Sequence, residues 1–427
     1  MKDIIIKLFD LEGSKIHDIE IINVNEEVFA LVTLRKNLSP CPHCGKLADR
    51  THDYRRRTIN HAILNDLNFT LVYNRRRYFC LSCKKAFPET NPFVVPGRRI
   101  SKFTIMRVMK LLSDPRVTFS MAAAATDTSV TTVQRIFDQH AGIKVRTFPT
   151  ILCIDEVYAI KYKQRIYACV LADFNTNQIY DLLPTRKKYD LAKYFSAIPR
   201  DTRNQVKYVS MDMWDTYRDM AETYFRNAKI CVDSFHVIKL INYAFTKVRI
   251  RIMNSFPKNS DEYYLLKKYS WIIIKQYRKI DYSRRIKVNR NTSYFWYQNV
   301  DPRDLVSAIL SIDPELEIAY MLKEEYMEMN ATCTVETIPT RIERYIQDLF
   351  LYSIPEFRPV AKTLSKWKEE IINSFNKVDG RRVSNGPVES INSRIKLIKY
   401  SAAGYKNFDR FRRRVLYSLN ESSCIKI

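Results

Sequence analysis

Glycine is scarce in this chain of 427 residues, which contains only seven. They are spread too widely for the glycine-rich loops with which P-loop and dinucleotide-binding proteins hold phosphates; they are Gly13, Gly45, Gly97, Gly142, Gly380, Gly386 and Gly404. Long apolar runs are also missing, since no uninterrupted stretch approaches the roughly 20 residues that span a bilayer. The N-terminus lacks the apolar segment and cleavage site of a secretory signal. The sequence therefore excludes most nucleotide-driven enzymes and predicts a cytoplasmic protein with no membrane partner.

Acidic residues are few relative to basic ones. Lysine and arginine number 71 against 46 aspartates and glutamates, which gives a net charge of +25 and a pI of about 9.6. Such a balance favours a polyanionic partner, and nucleic acid fits best. The length suits two or three domains, each large enough for its own core. An enzyme of this composition that acts on phosphates must hold them with metal ions and basic side chains.

Four of the nine cysteines form two pairs with the same spacing. Cys41-Pro-His-Cys44 and Cys80-Leu-Ser-Cys83 each place two thiols on one tight turn, as tetrahedral Zn²⁺ requires. In a reducing compartment we interpret them as metal ligands rather than disulfides. We expect a hairpin formed by residues 69–73 and 77–79 to bring the second pair back to the first. The alternatives are two buried pairs of reduced cysteines, or a ligand role for His43.

Two runs of three arginines lie between the cysteine pairs. Aromatic residues are interleaved with them, so that phosphate contacts and base stacking are both available. A solvated basic face is the alternative interpretation. We predict that the DNA contacts of this region are made by Arg55, Arg56, Arg57, Arg75, Arg76 and Arg77.

Residues 101–140 show helical periodicity. Ser120 and Ser129 are candidate N-caps of two short helices, separated by a bend at residues 127–128. This pattern resembles a helix-turn-helix, and a three-helix packing module without DNA is the alternative. In the helix-turn-helix interpretation, the second helix presents four side chains to the major groove: Thr131, Thr132, Gln134 and Arg135.

After Pro149 the pattern changes to short apolar runs with helical segments between them. Three adjacent strands followed by alternating helices and strands is the order of an RNase H-like α/β fold with a mixed sheet. In that topology the first and fourth strands are neighbours, which brings Asp155 and Asp212 together. Two crowded carboxylates repel each other unless a divalent metal neutralises them, and Mg²⁺ prefers such oxygen ligands. The five runs cover residues 151–154, 165–171, 178–183, 206–209 and 229–232.

A third acid is expected from a later helix, and the best candidate is Glu389. Pro387 suits the first turn of that helix. Glu389, Asn392 and Lys396 fall on one face, where they direct an acid, an amide and a cation into one site. The neighbouring face forms a buried apolar stripe of Val388, Ile391, Ile395 and Ile398.

At these residues the chain resembles the DDE transposases of bacterial insertion sequences, specifically the ISL-three group. The resemblance implies that Asp155, Asp212 and Glu389 are catalytic, with Asp233 and His236 as an accessory motif. It extends over nearly the whole chain and includes the cysteine pairs, the helix-turn-helix and the motifs at residues 154–156, 212, 233–236, 386–392 and 404–405.

The function predicted from these features is that of a transposase. Two Mg²⁺ (or Mn²⁺) ions support cleavage and transfer of double-stranded DNA. The DNA partners are the terminal inverted repeats of the transposon and the target DNA. Because two DNA ends must be joined, we expect a homodimer or a larger synaptic assembly acting at the bacterial nucleoid. A non-catalytic DNA-binding regulator derived from such a protein is the alternative. A tyrosine or serine recombinase is disfavoured, since the organised residues are carboxylates rather than a nucleophile within an arginine cluster.

We expect five segments along the chain. Trp271, Trp296 and Trp367 of the fourth segment are interpreted as core residues, with base stacking as the alternative. The segments are a zinc-binding DNA-contact domain (1–95), a helix-turn-helix domain (96–145), the first part of the core (146–236), an α-helical insertion (237–376) and the second part of the core with the Glu389 helix (377–427).

Overall fold

The computed structural model divides the chain into two compact units. The first contains Met1–Arg146, Tyr158–Tyr167 and Ile391–Ile427, and the second contains Thr147–Val157 and Ala168–Ser390. Within the part of the chain that the structure describes, no helix combines the length and apolarity that a membrane span requires. The described residues are 3, 6–7, 11–24, 27–62, 68–94, 99–143, 147–162, 165–296, 298–420 and 423–425.

The described residues form mixed α/β structure. The strands are β1 (Ile16–Val24), β2 (Glu27–Leu34), β3 (Ser39–Pro40), β4 (Leu47–Ala48), β5 (Thr51–Ala62), β6 (Asn68–Phe79), β7 (Ala86–Pro88), β8 (Ala141–Ile143), β9 (Ile151–Tyr162), β10 (Arg165–Asp173), β11 (Gln178–Leu183), β12 (Tyr208–Met211), β13 (Lys229–Val232), β14 (Ile286–Lys287), β15 (Asn299–Val300), β16 (Lys377–Val378), β17 (Arg381–Arg382) and β18 (Ser423–Ile425). The helices are α1 (Lys102–Leu111), α2 (Phe119–Ala124), α3 (Val130–His140), α4 (Lys188–Ser196), α5 (Arg200–Asn204), α6 (Asp215–Tyr224), α7 (Ser234–Ser255), α8 (Asp261–Lys268), α9 (Ser270–Ile274), α10 (Pro302–Leu310), α11 (Pro314–Thr332), α12 (Ile338–Leu351), α13 (Arg358–Lys366), α14 (Lys368–Asn373), α15 (Gly386–Ser401) and α16 (Phe408–Leu419).

The first unit begins with a five-stranded sheet in the order β1-β2-β6-β5, with β7 paired to β6. The prediction that residues 69–73 and 77–79 pair with each other as a hairpin is wrong, because both runs lie on the single strand β6. The long antiparallel partner of β6 is β5, and Arg55 pairs with Arg75 across them. Alternation along β6 buries Leu71 and Tyr73 in the core of this sheet.

Three helices follow with the spacing of a helix-turn-helix. The hydroxyl of Ser129 accepts from the backbone N–H of Thr132 and caps α3, as predicted. The cap of α2 is instead Thr118, whose hydroxyl accepts from Met121, so the prediction of Ser120 is wrong. Thr118 directly precedes Phe119, the first buried apolar residue of the helix. Because Thr118 is the cap, Ser120 lies inside the first turn.

The C-terminal helix α16 packs against these three helices. Tyr417 belongs to their buried core, and β18 pairs with β8, directly after α3. Arg414 is 1% exposed; its guanidinium donates to the backbone carbonyls of Leu112, Asp114 and Val117. Residues from Ile391 onward, which belong to the predicted segment 377–427, cluster with the first unit.

Replacing Arg414 with methionine is expected to destabilise the first unit by about 3 kcal/mol, since buried carbonyls that lose their donor cost about 1–3 kcal/mol each. Differential scanning calorimetry of the full chain should show the corresponding transition at lower temperature. Lys110→Met, at an exposed position of α1, is the control. An unchanged melting temperature for Arg414→Met contradicts the capping role.

The second unit contains a mixed sheet in the order β11-β10-β9-β12-β13. β10 and β11 pair antiparallel, whereas β12 pairs parallel with both β9 and β13. The predicted contact between the first and fourth strands of this region is thus confirmed. The first of these strands, β9, is longer than the apolar run 151–154 from which it was predicted, and it continues to Tyr162.

The region between β13 and β16 is largely helical and includes α7 to α14. It shares one continuous buried core with the sheet, and α14 lies at β13, where the Asn373 amide donates to the Ile230 carbonyl at 3.1 Å. The core interpretation of the tryptophans is confirmed for Trp367, which is 3% exposed. It is wrong for Trp271 and Trp296, which are 50% and 92% exposed.

Candidate zinc, DNA-binding and acidic sites

The four paired cysteines converge on one point. The Sγ atoms of Cys41 and Cys83 are 3.6 Å apart, as are those of Cys44 and Cys80, and all four lie within 4.8 Å of one another. A tetrahedral ion with Zn–S bonds of about 2.3 Å needs sulfur atoms about 3.8 Å apart. The donor set therefore fits Zn²⁺, and His43 is not a member of the group.

Each cysteine pair sits on a turn with the same backbone design. Gly45 and Lys84 follow the second cysteine of each pair, and both have a left-handed backbone, with φ of 73° and 54°. A hydrogen bond from the backbone N–H of Cys83 lowers the pKa of Cys80 to about 6. This hydrogen bond thus favours the metal-binding thiolate form of Cys80, whereas the pKa of Cys83 is raised to about 11 beside the neighbouring thiols.

The two arginine runs differ in what they present to solvent. Arg55, Arg56 and Arg57 on β5 are exposed. On β6, Arg76 is 7% exposed and pairs with Glu89 at 3.3 Å. The prediction of Arg76 as a DNA contact is therefore corrected, because a buried guanidinium with a buried carboxylate partner serves the fold.

The flanking arginines of β6 are also engaged within the protein. Arg77 pairs with Asp53 at 2.9 Å, and Arg75 donates to the Glu89 carbonyl at 3.4 Å. Their side chains are half-buried. The first run therefore offers the more accessible cations.

On α3, the predicted DNA-reading residues occupy two environments. Thr131 and Arg135 are exposed, and Thr132 is half-buried. Gln134 is half-buried as well, and its Oε1 accepts from Arg410 of α16 at 3.2 Å. The exposed face of α3 is therefore bordered by a residue from the far end of the chain.

Asp155 and Asp212 lie on neighbouring parallel strands of the second unit. Ser210 of β12 pairs with Cys153 of β9, so the aspartates two residues further along are level with each other. Burial, and then the negative charge of Asp155, raise the pKa of Asp212 to about 7. At neutral pH this position therefore favours a bound proton or cation.

Asp212 also faces the accessory motif. The Nδ1 atom of His236 is 3.0 Å from Asp212 Oδ1 and 3.5 Å from Asp233 Oδ2. Asp233 caps α7, and its backbone N–H donates to the Met211 carbonyl at 3.0 Å, which ties the ends of β12 and β13 together. The Asp233 carboxylate at this distance raises the pKa of His236.

Among the described residues, the ligand atoms that lie within 4.8 Å of one another in this sheet belong to Asp212, Asp233 and His236. Neither Asp155 nor Glu389 joins this group. Asp212 Oδ1 and His236 Nδ1 are buried and close, yet their geometry does not form a hydrogen bond. Carboxylate oxygens suit Mg²⁺ or Mn²⁺, whereas an imidazole nitrogen suits transition-metal ions, so the carboxylates are the part of this group that fits Mg²⁺.

Glu389 is connected to this sheet through the start of its helix. The buried Asn385 side chain donates to the Ile154 carbonyl at 3.0 Å, one residue before Asp155. The Glu389 backbone N–H in turn donates to the Asn385 carbonyl at 3.1 Å, and the Glu389 side chain is exposed. The first turn of α15 is thus anchored beside the acidic strand.

The other predictions for α15 concern burial. Asn392 is 8% exposed and Lys396 is exposed. The predicted apolar stripe is confirmed, because each of its members is at most 2% exposed: Val388, Ile391, Ile395 and Ile398.

One cation near the acids has no counterpart in the sequence predictions. Arg186 pairs with Glu156, the neighbour of Asp155, and its guanidinium lies 5.0 Å from the ring centroid of Trp214. The negative charge of Glu156 also contributes to the raised pKa of Asp212. Arg186 follows β11 outside any periodic pattern, so the sequence carried no signal that pointed to it.

A cysteine site of zinc-ribbon type followed by a helix-turn-helix is typical of DNA-binding proteins, and the acidic group adds a candidate metal centre. Comparison with known families identifies the type. A family model described as transposase, the DDE domain of the ISL3 type, matches residues 152–415. The zinc finger of transposases IS204/IS1001/IS1096/IS1165 matches residues 38–83, and the helix-turn-helix domain of transposase family ISL3 matches residues 89–141. The chain belongs to the ISL3 family of transposases.

Individual relatives agree with this assignment. The transposase for insertion sequence element IS1001 of Bordetella parapertussis is 20% identical over 376 residues, which cover 87% of this chain and 86% of the relative. The transposase for insertion sequence element IS1557 of Mycobacterium tuberculosis is 25% identical over 262 residues, which cover 60% of this chain and 56% of the relative.

Proposed function

We propose that this protein binds the terminal inverted repeats of its insertion sequence and catalyses metal-dependent DNA strand cleavage and strand transfer. The observation that carries the catalytic part is the level placement of Asp155 and Asp212 on adjacent parallel strands, where the pKa of Asp212 is raised to about 7. Acids so crowded need a compensating cation. Family membership supplies independent support.

The fold assigned to the catalytic part is an RNase H-like core interrupted by a helical insertion. The sheet order β11-β10-β9-β12-β13 supports it, with the parallel pairs on one side of β9. The chain leaves this sheet after β13 and returns at Asn385, which bonds to Ile154. The helical region in between is the proposed insertion.

Asp155, Asp212 and Glu389 are the proposed ligands of the catalytic Mg²⁺ (or Mn²⁺) ions. When bound, two such ions activate the attacking hydroxyl and stabilise the leaving oxygen in phosphoryl transfer. The pairing of their strands supports Asp155 and Asp212 as neighbouring ligands, and the bond from Asn385 to the Ile154 carbonyl supports Glu389 of α15 as the third. His236, whose Nδ1 lies 3.0 Å from Asp212 Oδ1, and Asp233 are the proposed accessory residues beside this centre.

DNA recognition is assigned to the first unit. Thr131, Thr132, Gln134 and Arg135 of α3 are the proposed base-reading residues. The exposed arginine run of β5 supplies phosphate contacts, which add affinity that depends on salt. A homodimer or larger assembly then holds two DNA ends for transfer to target DNA at the nucleoid.

Arg135→Ala is expected to reduce the preference for element ends over random DNA by about tenfold, because a specific base contact contributes about 1–3 kcal/mol. Replacing Arg55, Arg56 and Arg57 with glutamine should instead weaken binding to both DNAs and lower the salt slope. Fluorescence anisotropy across a salt series measures both quantities. Equal, salt-independent losses from the two changes contradict this division of roles.

The proposed function is tested by strand cleavage. Purified protein with Mg²⁺ is expected to nick a duplex that carries the junction between the element end and flanking DNA. Binding of that duplex without any cleavage, under conditions that include Mn²⁺, favours a non-catalytic regulator instead.

A further inference from the structure

The first unit contains an ion-pair cluster between the second helix of the helix-turn-helix and the C-terminal helix. Arg410 of α16 donates from Nε and Nη2 to the Asp138 carboxylate at 3.1 and 2.6 Å. Its remaining terminal nitrogen, Nη1, donates to Gln134 Oε1 at 3.2 Å. One guanidinium therefore holds two side chains that are one helical turn apart on α3.

The bond from Arg410 fixes the orientation of the Gln134 side-chain amide. An amide reads adenine by accepting from the base through its oxygen and donating to it through its nitrogen, which requires a fixed amide plane. With Oε1 held by Arg410, the Gln134 amide has one preferred orientation, and its Nε2 donor is directed away from the guanidinium. Arg135 and Thr131 on the adjoining face are exposed.

The same region contains a groove of about 600 Å³ between α2, α3 and the loop that precedes α16. The groove is lined by Val130 and Gln134 on one side and by residues 401–407 and Arg410 on the other. Lys406 of the loop is exposed. The C-terminal segment thus adds a cation to a groove that begins at the N-terminal end of α3, the end at which recognition helices contact bases.

We propose that residues 401–410 and helix α3 form one DNA-reading surface, in which Arg410 is a positioning residue that sets the base preference of Gln134. The proposal rests on the proposed function of the helix-turn-helix. Its occupant is duplex DNA, because Lys406 in the groove and Arg135 on α3 are exposed cations. The C-terminal segment is then part of the recognition module, although Arg410 is more than 270 residues along the chain from Gln134 and Asp138.

Attachment of α16 does not by itself account for Arg410. Arg414 already fixes the helix through three backbone carbonyls, and Arg413 donates to the Asp138 carbonyl at 2.7 Å. Arg413 shares the helix and the partner residue of Arg410 but has no bond to Gln134 among the contacts of the described residues. It is therefore a matched control.

The experiment is selection of bound DNA from a pool of duplexes with randomised positions, using the full-length protein. Wild type, Arg410→Ala, Gln134→Ala, the double variant and Arg413→Ala are compared. We expect Arg410→Ala and Gln134→Ala to lose preference at the same one or two base pairs by about tenfold. The double variant should lose no more than either single variant, since both changes remove one contact. Arg413→Ala should keep the wild-type preference profile.

Melting temperatures and binding to a fixed nonspecific duplex separate positioning from a purely structural role. If Arg410→Ala weakens all positions equally, or leaves the profile unchanged, the inference is overturned. Additive losses at different base pairs by Arg410→Ala and Gln134→Ala also overturn it. If the wild-type protein selects no sequence at all, the proposed DNA recognition fails as well, which distinguishes that outcome from failure of Arg410 alone.

Discussion

Asp155→Asn and Asp212→Asn are each expected to reduce strand cleavage by about a thousandfold or more. Each change removes a charged ligand from the proposed metal centre, and metal ions contribute several kcal/mol to transition-state stabilisation, with 1.36 kcal/mol per factor of ten in rate. The isosteric amides keep the side-chain volume of these partly buried positions. The measurement is single-turnover cleavage of an end-containing duplex in Mg²⁺.

End binding should survive these changes, because DNA recognition is assigned to the first unit. Asp173→Asn is the matched control, since its carboxylate accepts from Asn175 and Thr176 in the turn after β10 and serves that turn. Normal cleavage by the Asp212→Asn variant contradicts the proposed metal centre. A parallel loss of end binding and cleavage points to misfolding rather than chemistry.

Glu389→Gln belongs to the same experiment and tests the third ligand. It is expected to match the Asp155 and Asp212 variants in cleavage and binding. Glu324→Gln provides its comparison, because Glu324 contacts Lys323 at 2.6 Å and accepts from the Tyr277 backbone N–H. If Glu389→Gln cleaves normally and Glu324→Gln does not, the third ligand is misplaced.

Cys41→Ser and Cys83→Ser are expected to abolish zinc binding and the folding of the cysteine module, with loss of high-affinity DNA binding. The buried core of this module is small, with Tyr78 and Phe87 packed around the cysteines, so the metal must supply much of its stability. Structural zinc sites contribute on the order of 10 kcal/mol to folding. Elemental analysis should give one zinc per chain in the wild type.

Cys424→Ser is the control for this change, since Cys424 lies in the same unit but outside the four-sulfur group. It should retain zinc and DNA binding. Limited proteolysis distinguishes local unfolding of the module from global unfolding. Zinc-free wild-type protein that still binds DNA normally contradicts a structural role for the metal.

Features encoded by local spacing could be predicted from the sequence. Cysteines three residues apart share a turn, so the Cys41/Cys44 and Cys80/Cys83 pairs predicted a metal site. The structure places all four sulfur atoms together. Apolar periodicity located the helix-turn-helix and the strands around Asp155 and Asp212. Strand order then followed from the few topologies open to such a sequence of elements.

Other features depend on contacts between residues that are distant in the chain. Arg76 and Arg56 look alike in sequence, but strand alternation and the carboxylate of Glu89 bury only Arg76. His236 approaches Asp212 because β12 and β13 are paired, which no spacing along the chain reveals.

The C-terminal helix shows the same limit most clearly. Its sequence alone predicted a continuation of the catalytic core, whereas Arg410 and Arg414 bind the helix-turn-helix across roughly 300 residues of chain. Local sequence determined that these elements form and which faces they bury, because periodicity and capping act within a few turns. Only the tertiary structure decided which element receives each buried face and each arginine, because a guanidinium satisfies any carbonyl or carboxylate that the folded chain brings within reach.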